Sequence, residues 1–286
     1  MYSSFRKFIT RILLNSPLVR SNTVIAVGRL LRSISNSDYV EIEGRKMFVH
    51  GNDGLALSIF KVYEPAQTQV VKEHIKEGNV VVDIGAHVGY YTLLFAQLVG
   101  PKGKVYAFEP DPVNFELLKK SVEINGYQNV ILIQKAVSNK NGKVKLYLGD
   151  NNRAINRIYD AKMDDAKEAI EVDSIRLDDY FKNYEGRIDF IKMDVEGSES
   201  SIIDGMHSIL RKTKTLKIMT EFYPYLIRKF GKEPEEFVQT LATAGFKIYD
   251  ILDDKNGAIS PLDLSSVLAK SLQKKEYVTN LFCTKE

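Results

Sequence analysis

Residues 79–91, NVVVDIGAHVGYY, constrain what this chain can fold into more than any other stretch. Val80, Val81 and Val82 form an unbroken β-branched run, which suits a strand covered on both faces. Asp83 follows, Gly85 and Gly89 bracket a tight loop, and an apolar segment of helical spacing starts at Tyr90. A strand, a glycine loop and a helix in that order lay backbone against a ligand at the carboxyl edge of a parallel sheet.

The rest of the chain supplies that sheet. Strands are expected at 80–84, 104–109, 130–134, 188–193 and 216–221, and helices at 90–98, 112–125, 198–210 and 234–244. Pro65 suits the first turn of an earlier helix, with Gly78 as its C-terminal cap. Asp111-Pro112 reads as an N-cap followed by N1. YVEIEG and KMFVHG, within 38–64, read as short strands with glycine turns. Beyond 244, FKIYDIL and EYVTNLFCT read as two strands flanking a helix at 263–273 and forming an antiparallel edge. Residues 138–176 read as an insertion, a hairpin at SNKNGKVKLYLG followed by the polar stretch NNRAINRIYD. The fold class is therefore α/β, with a mostly parallel sheet covered on both faces.

The first 37 residues stand apart. They hold Arg6, Lys7, Arg11, Arg20, Arg29 and Arg32 and no acidic residue, and Phe5, Phe8, Ile9, Ile12 and Leu13 share one helical face. Residues 1–37 are thus expected to form a basic amphipathic helical extension to a domain at 38–286. It either packs on its own domain or a twin subunit in a homodimer, or residues 1–35 touch an anionic membrane surface peripherally. The single Cys283 excludes an internal disulfide and fits a reducing, cytoplasmic setting. No apolar run is long enough to span a bilayer. A net charge of +3 over 286 residues gives no reason to expect a nucleic-acid partner.

Three nucleotide ligands use glycine loops after strands, and the residues separate them. No Lys-Ser/Thr follows Gly89, so the loop is not a phosphate-cradling P-loop. The spacing Asp83-x-Gly85-x-x-x-Gly89 also lacks the dinucleotide fingerprint, and a carboxylate is a poor neighbour for pyrophosphate. It is a good neighbour for the ammonium group of S-adenosylmethionine, with Asp83 either holding the loop or pairing with that charge. Glu109, closing KVYAFEPDP ahead of Pro110, can accept both ribose hydroxyls.

VVDIGAHVGYYTLLFA, VYAFEPDP, VILIQKAVSN, SIRLDDYF and IDFIKMDVEGSE, in that order over roughly 60–222, resemble the FkbM-type family of S-adenosylmethionine-dependent methyltransferases. The resemblance implies a Rossmann-like methyltransferase fold with a seven-stranded, mostly parallel sheet whose last pair is a reversed hairpin. It implies S-adenosyl-L-methionine as cofactor, held by Asp83, Gly85, Ala86, His87, Gly89, Tyr90, Glu109, Pro110 and Asp194. Ala136, Val137 and Ser138 would line the adenine ring. It also implies methyl transfer to a hydroxyl of a sugar, glycan, glycolipid or small natural product. His87 departs from the Asn usual in the family's loop.

The chemistry requires an aligned acceptor and a route for its proton. Asp194, Glu196 and Glu221 fall at the carboxyl ends of strands, in KMDVEG and MTEFYP. One acts as general base, or two or three hold Mg²⁺, or they accept loop amides and cap the helix at 198–210. His87 is the alternative base. Tyr90 and Tyr91 either flank the cofactor's methionine part or pack in the core. Asn156 and Arg157, in the insertion, either contact the acceptor with Glu196 or belong to a plain surface loop. DVEG after the fourth strand argues against amino-methylation of nucleic acid, and Cys283 is misplaced for cytosine-C5 chemistry. RNA 2′-O-methylation and a non-catalytic S-adenosylmethionine-binding protein are the alternative functions.

Overall fold

The computed structural model describes residues 39–50, 57, 62–149, 156–158, 166–252 and 256–285. The extension expected over 1–37 and the glycine turn at 51–54 lie outside the described residues. The chain enters through a hairpin of β1 (Tyr39–Ile42) and β2 (Arg45–Phe48), turned by Glu43 and Gly44 at positive φ. Helix α1 (Pro65–His74) follows, with Pro65 in its first turn. Ile75 caps it, so Gly78 is not the cap: it sits at φ +83° in the turn leading to the next strand.

Three β-α steps come next: β3 (Val80–Ile84), α2 (Tyr90–Val99), β4 (Lys104–Phe108), α3 (Pro112–Ile124) and β5 (Val130–Ile133). Asp111 caps α3 as its sequence requires, its Oδ1 accepting from the Val113 amide at 2.7 Å. A cap of this kind contributes about 1 kcal/mol. A separate three-stranded sheet then forms from β6 (Ala136–Val137), β7 (Gly142–Gly149) and β8 (Ala166–Ile175). The hairpin expected within SNKNGKVKLYLG is therefore wider: β7 pairs antiparallel with β8, beyond the polar stretch, while β6 pairs parallel with it.

The chain returns to the main sheet through α4 (Leu177–Tyr180) and β9 (Phe190–Met193). The helix expected over 198–210 is two short ones, α5 (Glu199–Asp204) and α6 (His207–Lys212). Gly205 lies so close to the Ser138 carbonyl that a Cβ would collide with it, and the Asp178 carboxylate holds the Ser208 and Ile209 amides at the start of α6. Packing against the insertion thus breaks the helix. Then come β10 (Leu216–Phe222), α7 (Pro224–Lys229), α8 (Pro234–Thr243), β11 (Lys247–Ile251), β12 (Ile259–Pro261), α9 (Leu264–Gln273) and β13 (Thr279–Lys285).

The main sheet has the order β12-β11-β13-β10-β9-β3-β4-β5, eight strands where seven are implied by the resemblance. The extra strand is β12, which edges β11. The two C-terminal strands pair antiparallel at this end of the sheet as expected, β13 lying between β10 and β11, but β12 rather than either of them is outermost. The four pairings from β10 to β5 are all parallel. Alternate residues of each strand feed opposite cores: Val105 and Ala107 pack with Leu94, Phe95 and Leu118, whereas Tyr106 and Phe108 pack with Phe181 and Ile202. By the same alternation Asp83, Lys192 and Asp194 share the face that α1 and α2 cover. From β3 the chain moves outward to β4 and β5 and comes back to lay β9 on the other side of β3. That reversal is where open α/β sheets hold ligands.

Candidate functional site

The loop after β3 is shaped by the protein's own backbone before any ligand is considered. The Gly85 and Ala86 amides both donate to the Phe108 carbonyl at 3.0 Å, tying the loop to the end of β4. Gly85 has φ +78°, and a Cβ there would collide with the Asp194 carbonyl at the end of β9. Gly89 has φ +103°, and a Cβ there would meet Leu118 of α3 at 2.7 Å. Gly85 is thus demanded by close backbone packing across the switch point, and Gly89 by its left-handed backbone.

Glu109 sits at the centre of this frame. Its Oε2 accepts the His87 amide at 2.8 Å and its Oε1 the Asp111 amide at 2.9 Å, with the Asn114 side chain at 3.4 Å. Burial pushes its pKa up to about 7, against the pull of those amides. A carboxylate has about four acceptor positions, so Glu109 keeps capacity for further donors. It lines an open cavity together with Ile84, Gly85, His87, Phe108, Pro110, Ala136, Val137, Leu146, Asn156, Arg157 and Asp194.

Not every residue expected at the cofactor reaches that cavity. Asp83 is fully buried behind the loop, accepting the Thr92 hydroxyl at 2.6 Å, so it holds the start of α2. Gly89, Ala86 and Tyr90 stand off the cavity wall as well. The Tyr90 hydroxyl lies 3.1 Å from that of Thr68, within the core. Ser138 turns toward Ser201 of α5 at 3.2 Å, leaving Ala136 and Val137 on the wall. Asn156 and Arg157 line the cavity on the Glu109 side. Asn156 spans two elements, accepting the Gly149 amide at 2.9 Å and donating to Asp111 at 2.6 Å.

His87 takes φ +51° in the loop and is half-buried at the cavity wall. Burial, with His50 nearby, drives its pKa down to about 4, and its Nε2 meets no hydrogen-bond partner among the described residues. A neutral imidazole of that basicity is a weak proton acceptor, which disfavours it as the base. His50 stands beside it: its ring is 5.9 Å from that of His87 and its Nε2 is 2.7 Å from Asn114 Oδ1.

On the far side of the switch point stand Asp194, Glu196 and Glu221, each half-buried, with one carboxylate oxygen apiece lying within 4.8 Å of the others. Burial and then Asp194, Glu196 and Glu199 raise the Glu221 carboxyl well above its ordinary range. Its Oε2 is sealed from solvent and accepts no hydrogen bond among the described residues. Glu196 sits at φ +56° in the turn before α5, while Glu199 takes the Val195 and Gly197 amides at 3.1 and 3.3 Å. Glu199 thus takes a loop-amide role of the kind expected for its neighbour.

Two residues of this region escape sequence reasoning. Lys192, inside the apolar strand FIKMDV, is buried, and its Nζ lies 3.1 Å from Asp194 Oδ2 and 4.8 Å from the centre of the Tyr91 ring. A lysine in a strand covered on both faces, two residues before an Asp, was the available signal. Glu64 precedes α1 at φ +46° and accepts the Tyr91 hydroxyl at 2.8 Å. Burial and then Asp194 push it up to about 7. Nothing in YEPAQ marks it out.

These donors and walls fit S-adenosylmethionine. Ile84, Phe108, Val137 and Leu146 offer apolar surface for a flat base, Glu109 offers acceptor capacity for a ribose diol, and Asp194 offers a counter-charge for an ammonium or sulfonium. His87 Nε2 is a buried polar atom that a ligand would satisfy.

Comparison with known proteins agrees. The 2-O-methyltransferase NoeI of Sinorhizobium fredii is 29% identical over 168 residues, covering 54% of this chain and 67% of that protein. Methyltransferase sdnD of Sordaria araneosa is 28% identical over 155 residues, 44% of this chain and 60% of that protein. The chain spans about three fifths to two thirds of the length of these curated relatives. A solved structure of Methyltransferase FkbM from Methylobacillus flagellatus aligns with a TM-score of 0.46 at 13% identity, covering 93% of this chain and 59% of that one. The model of the methyltransferase FkbM domain matches residues 83–248, from the end of β3 into β11 and across every strand end that walls the cavity. Matched over more than half its length, the chain belongs to the FkbM methyltransferase family.

Proposed function

We propose that this chain transfers a methyl group from S-adenosylmethionine to a hydroxyl oxygen of a sugar, glycan, glycolipid or small natural product. The observation that carries the reading is Glu221 Oε2, a buried carboxylate oxygen with no hydrogen-bond partner among the described residues, beside Asp194 on the cavity wall. When bound, S-adenosylmethionine supplies a methyl group made electrophilic by its sulfonium. Glu109 would hold the ribose hydroxyls and Asp194 the positive end of the ligand. Glu221 Oε2 would take the acceptor's hydroxyl proton as the new oxygen–carbon bond forms. A carboxyl raised by burial and like charges is a stronger base once ionised, which suits it to that task. The similarity to NoeI, a 2-O-methyltransferase, supports oxygen as the atom methylated.

The test is incubation with methyl-labelled S-adenosylmethionine and a panel of mono- and oligosaccharides, hydroxylated small molecules and RNA. Label is expected in a sugar or small-molecule hydroxyl; label in RNA alone, or binding without transfer to any arm, would replace this reading. A second reading is favoured by the three carboxylates within 4.8 Å: Asp194, Glu196 and Glu221 would hold Mg²⁺, which lowers the acceptor hydroxyl's pKa. Turnover that survives chelation with EDTA excludes it.

A further inference from the structure

Lys192 belongs to none of the roles assigned above, and its surroundings are unusual. It lies on β9, directly beside Asp83 on β3 and Met219 on β10, with α2 packed over it. Asp83 faces it from β3, Glu64 from ahead of α1, and Asp194 from two residues on along its own strand. Burial works against its ammonium, but Asp194, Asp83 and Glu64 more than offset that and hold its pKa above the usual lysine value. Its Nζ sits over the Tyr91 ring, and Tyr91 is fixed in turn by its hydroxyl bond to Glu64. The Asp194 amide donates to the Ile84 carbonyl at 3.2 Å, its Oδ2 accepts from Lys192, and the residue lines the cavity.

We infer that Lys192 is a positioning residue: it fixes the Asp194 carboxylate against the cavity wall with one oxygen engaged and the other presented to the ligand, while the Glu64–Tyr91 pair braces the lysine from behind. The cation acts through Asp194, and it does not touch the ligand itself. A buried lysine at this point also sets one positive charge among carboxylates that converge from three separate elements. The inference rests on reading the cavity as the S-adenosylmethionine site.

The experiment is a double-mutant cycle read by calorimetry with S-adenosylmethionine. Lys192→Met should weaken binding about tenfold in the natural background and less than about twofold when Asp194→Asn is already present. Lys192→Arg, which keeps the donor, should restore affinity to within about threefold of the unaltered chain. The same loss in both backgrounds overturns the inference, as does failure of Lys192→Arg to recover affinity over Lys192→Met. A crystal structure of Lys192→Met supplies the readout that does not depend on the ligand. The Asp194 side chain should leave its present rotamer, and an unmoved Asp194 overturns the inference even if the unaltered chain binds no S-adenosylmethionine, a result that would separately defeat the site reading.

Discussion

The two sides of the switch point hold their carboxylates in opposite ways. Glu109, on the β4 side, is gripped by two backbone amides that the loop and the cap of α3 place rigidly. Asp194, Glu196 and Glu221, on the β9–β10 side, crowd within 4.8 Å with one lysine among them. A backbone grip is built once the fold is built, whereas a crowd of side-chain charges is only partly compensated until something positive or proton-bearing arrives. The first arrangement suits recognition of a fixed ligand, and the second suits proton movement.

Substitutions can separate the two sides. Glu221→Gln keeps size and polarity but cannot take a proton, so kcat should fall about 10²–10⁴-fold while calorimetric affinity for S-adenosylmethionine stays within about threefold. An equal loss of affinity would show that both sides bind and neither is specialised. Glu109→Ala should do the reverse, weakening affinity by about 10²-fold, because it removes the ribose acceptor and strands the His87 and Asp111 amides.

Acidity gives a milder test. Glu109 titrates at about 7 in the folded chain, and hydroxyl donors favour its ionised form. Affinity should therefore weaken by about tenfold between pH 8 and pH 6, with proton release on binding near pH 7. A flat profile would mean the ligand does not donate to Glu109. Stability of the unliganded chain runs the other way. Glu64, Glu109 and Glu199 are each raised to about 7, so their contribution is full below the unfolded value near 4.5 and is lost as pH rises through 7. The melting temperature without ligand should fall over that interval, and the shift produced by ligand should grow. The smallest effect is expected at Asn156→Ala, where the lost bridge between Gly149 and Asp111 should weaken affinity about threefold and leave kcat alone.

The same contrast explains what the residues disclosed on their own. The strand–loop–helix at 79–91, the cap at Asp111-Pro112 and Glu109 are local features, each set by a few neighbouring residues, and they were readable. The glycines were readable as a loop, but not the reason for Gly85, since the Asp194 carbonyl that forbids a Cβ there comes from another element. The partnership of β7 with β8 and the break at Gly205 depend on contacts across the insertion. Asp194 and Glu221 were placed at strand ends by periodicity. The buried neighbours that set their charge, Lys192 and Glu64, look like an ordinary strand residue and an ordinary loop residue until the sheet assembles. Asp83 illustrates the converse, a residue conspicuous in sequence that the fold uses as an internal fastener to Thr92.

The position of β13 bears on when such a protein becomes competent. Glu221 pairs with Asn280 in the register of β10 and β13, so the outer flank of the acidic side is walled by a segment made long after β10 itself. A nascent chain emerging from the ribosome can pair β3, β4, β5, β9 and β10 as they appear, and with them the whole grip on Glu109. It cannot finish the wall around Glu221 until residues 279–285 are free to thread between β10 and β11. The flank beside Glu221 is thus the last part of these strand ends to be walled, after the grip on Glu109 is already in place.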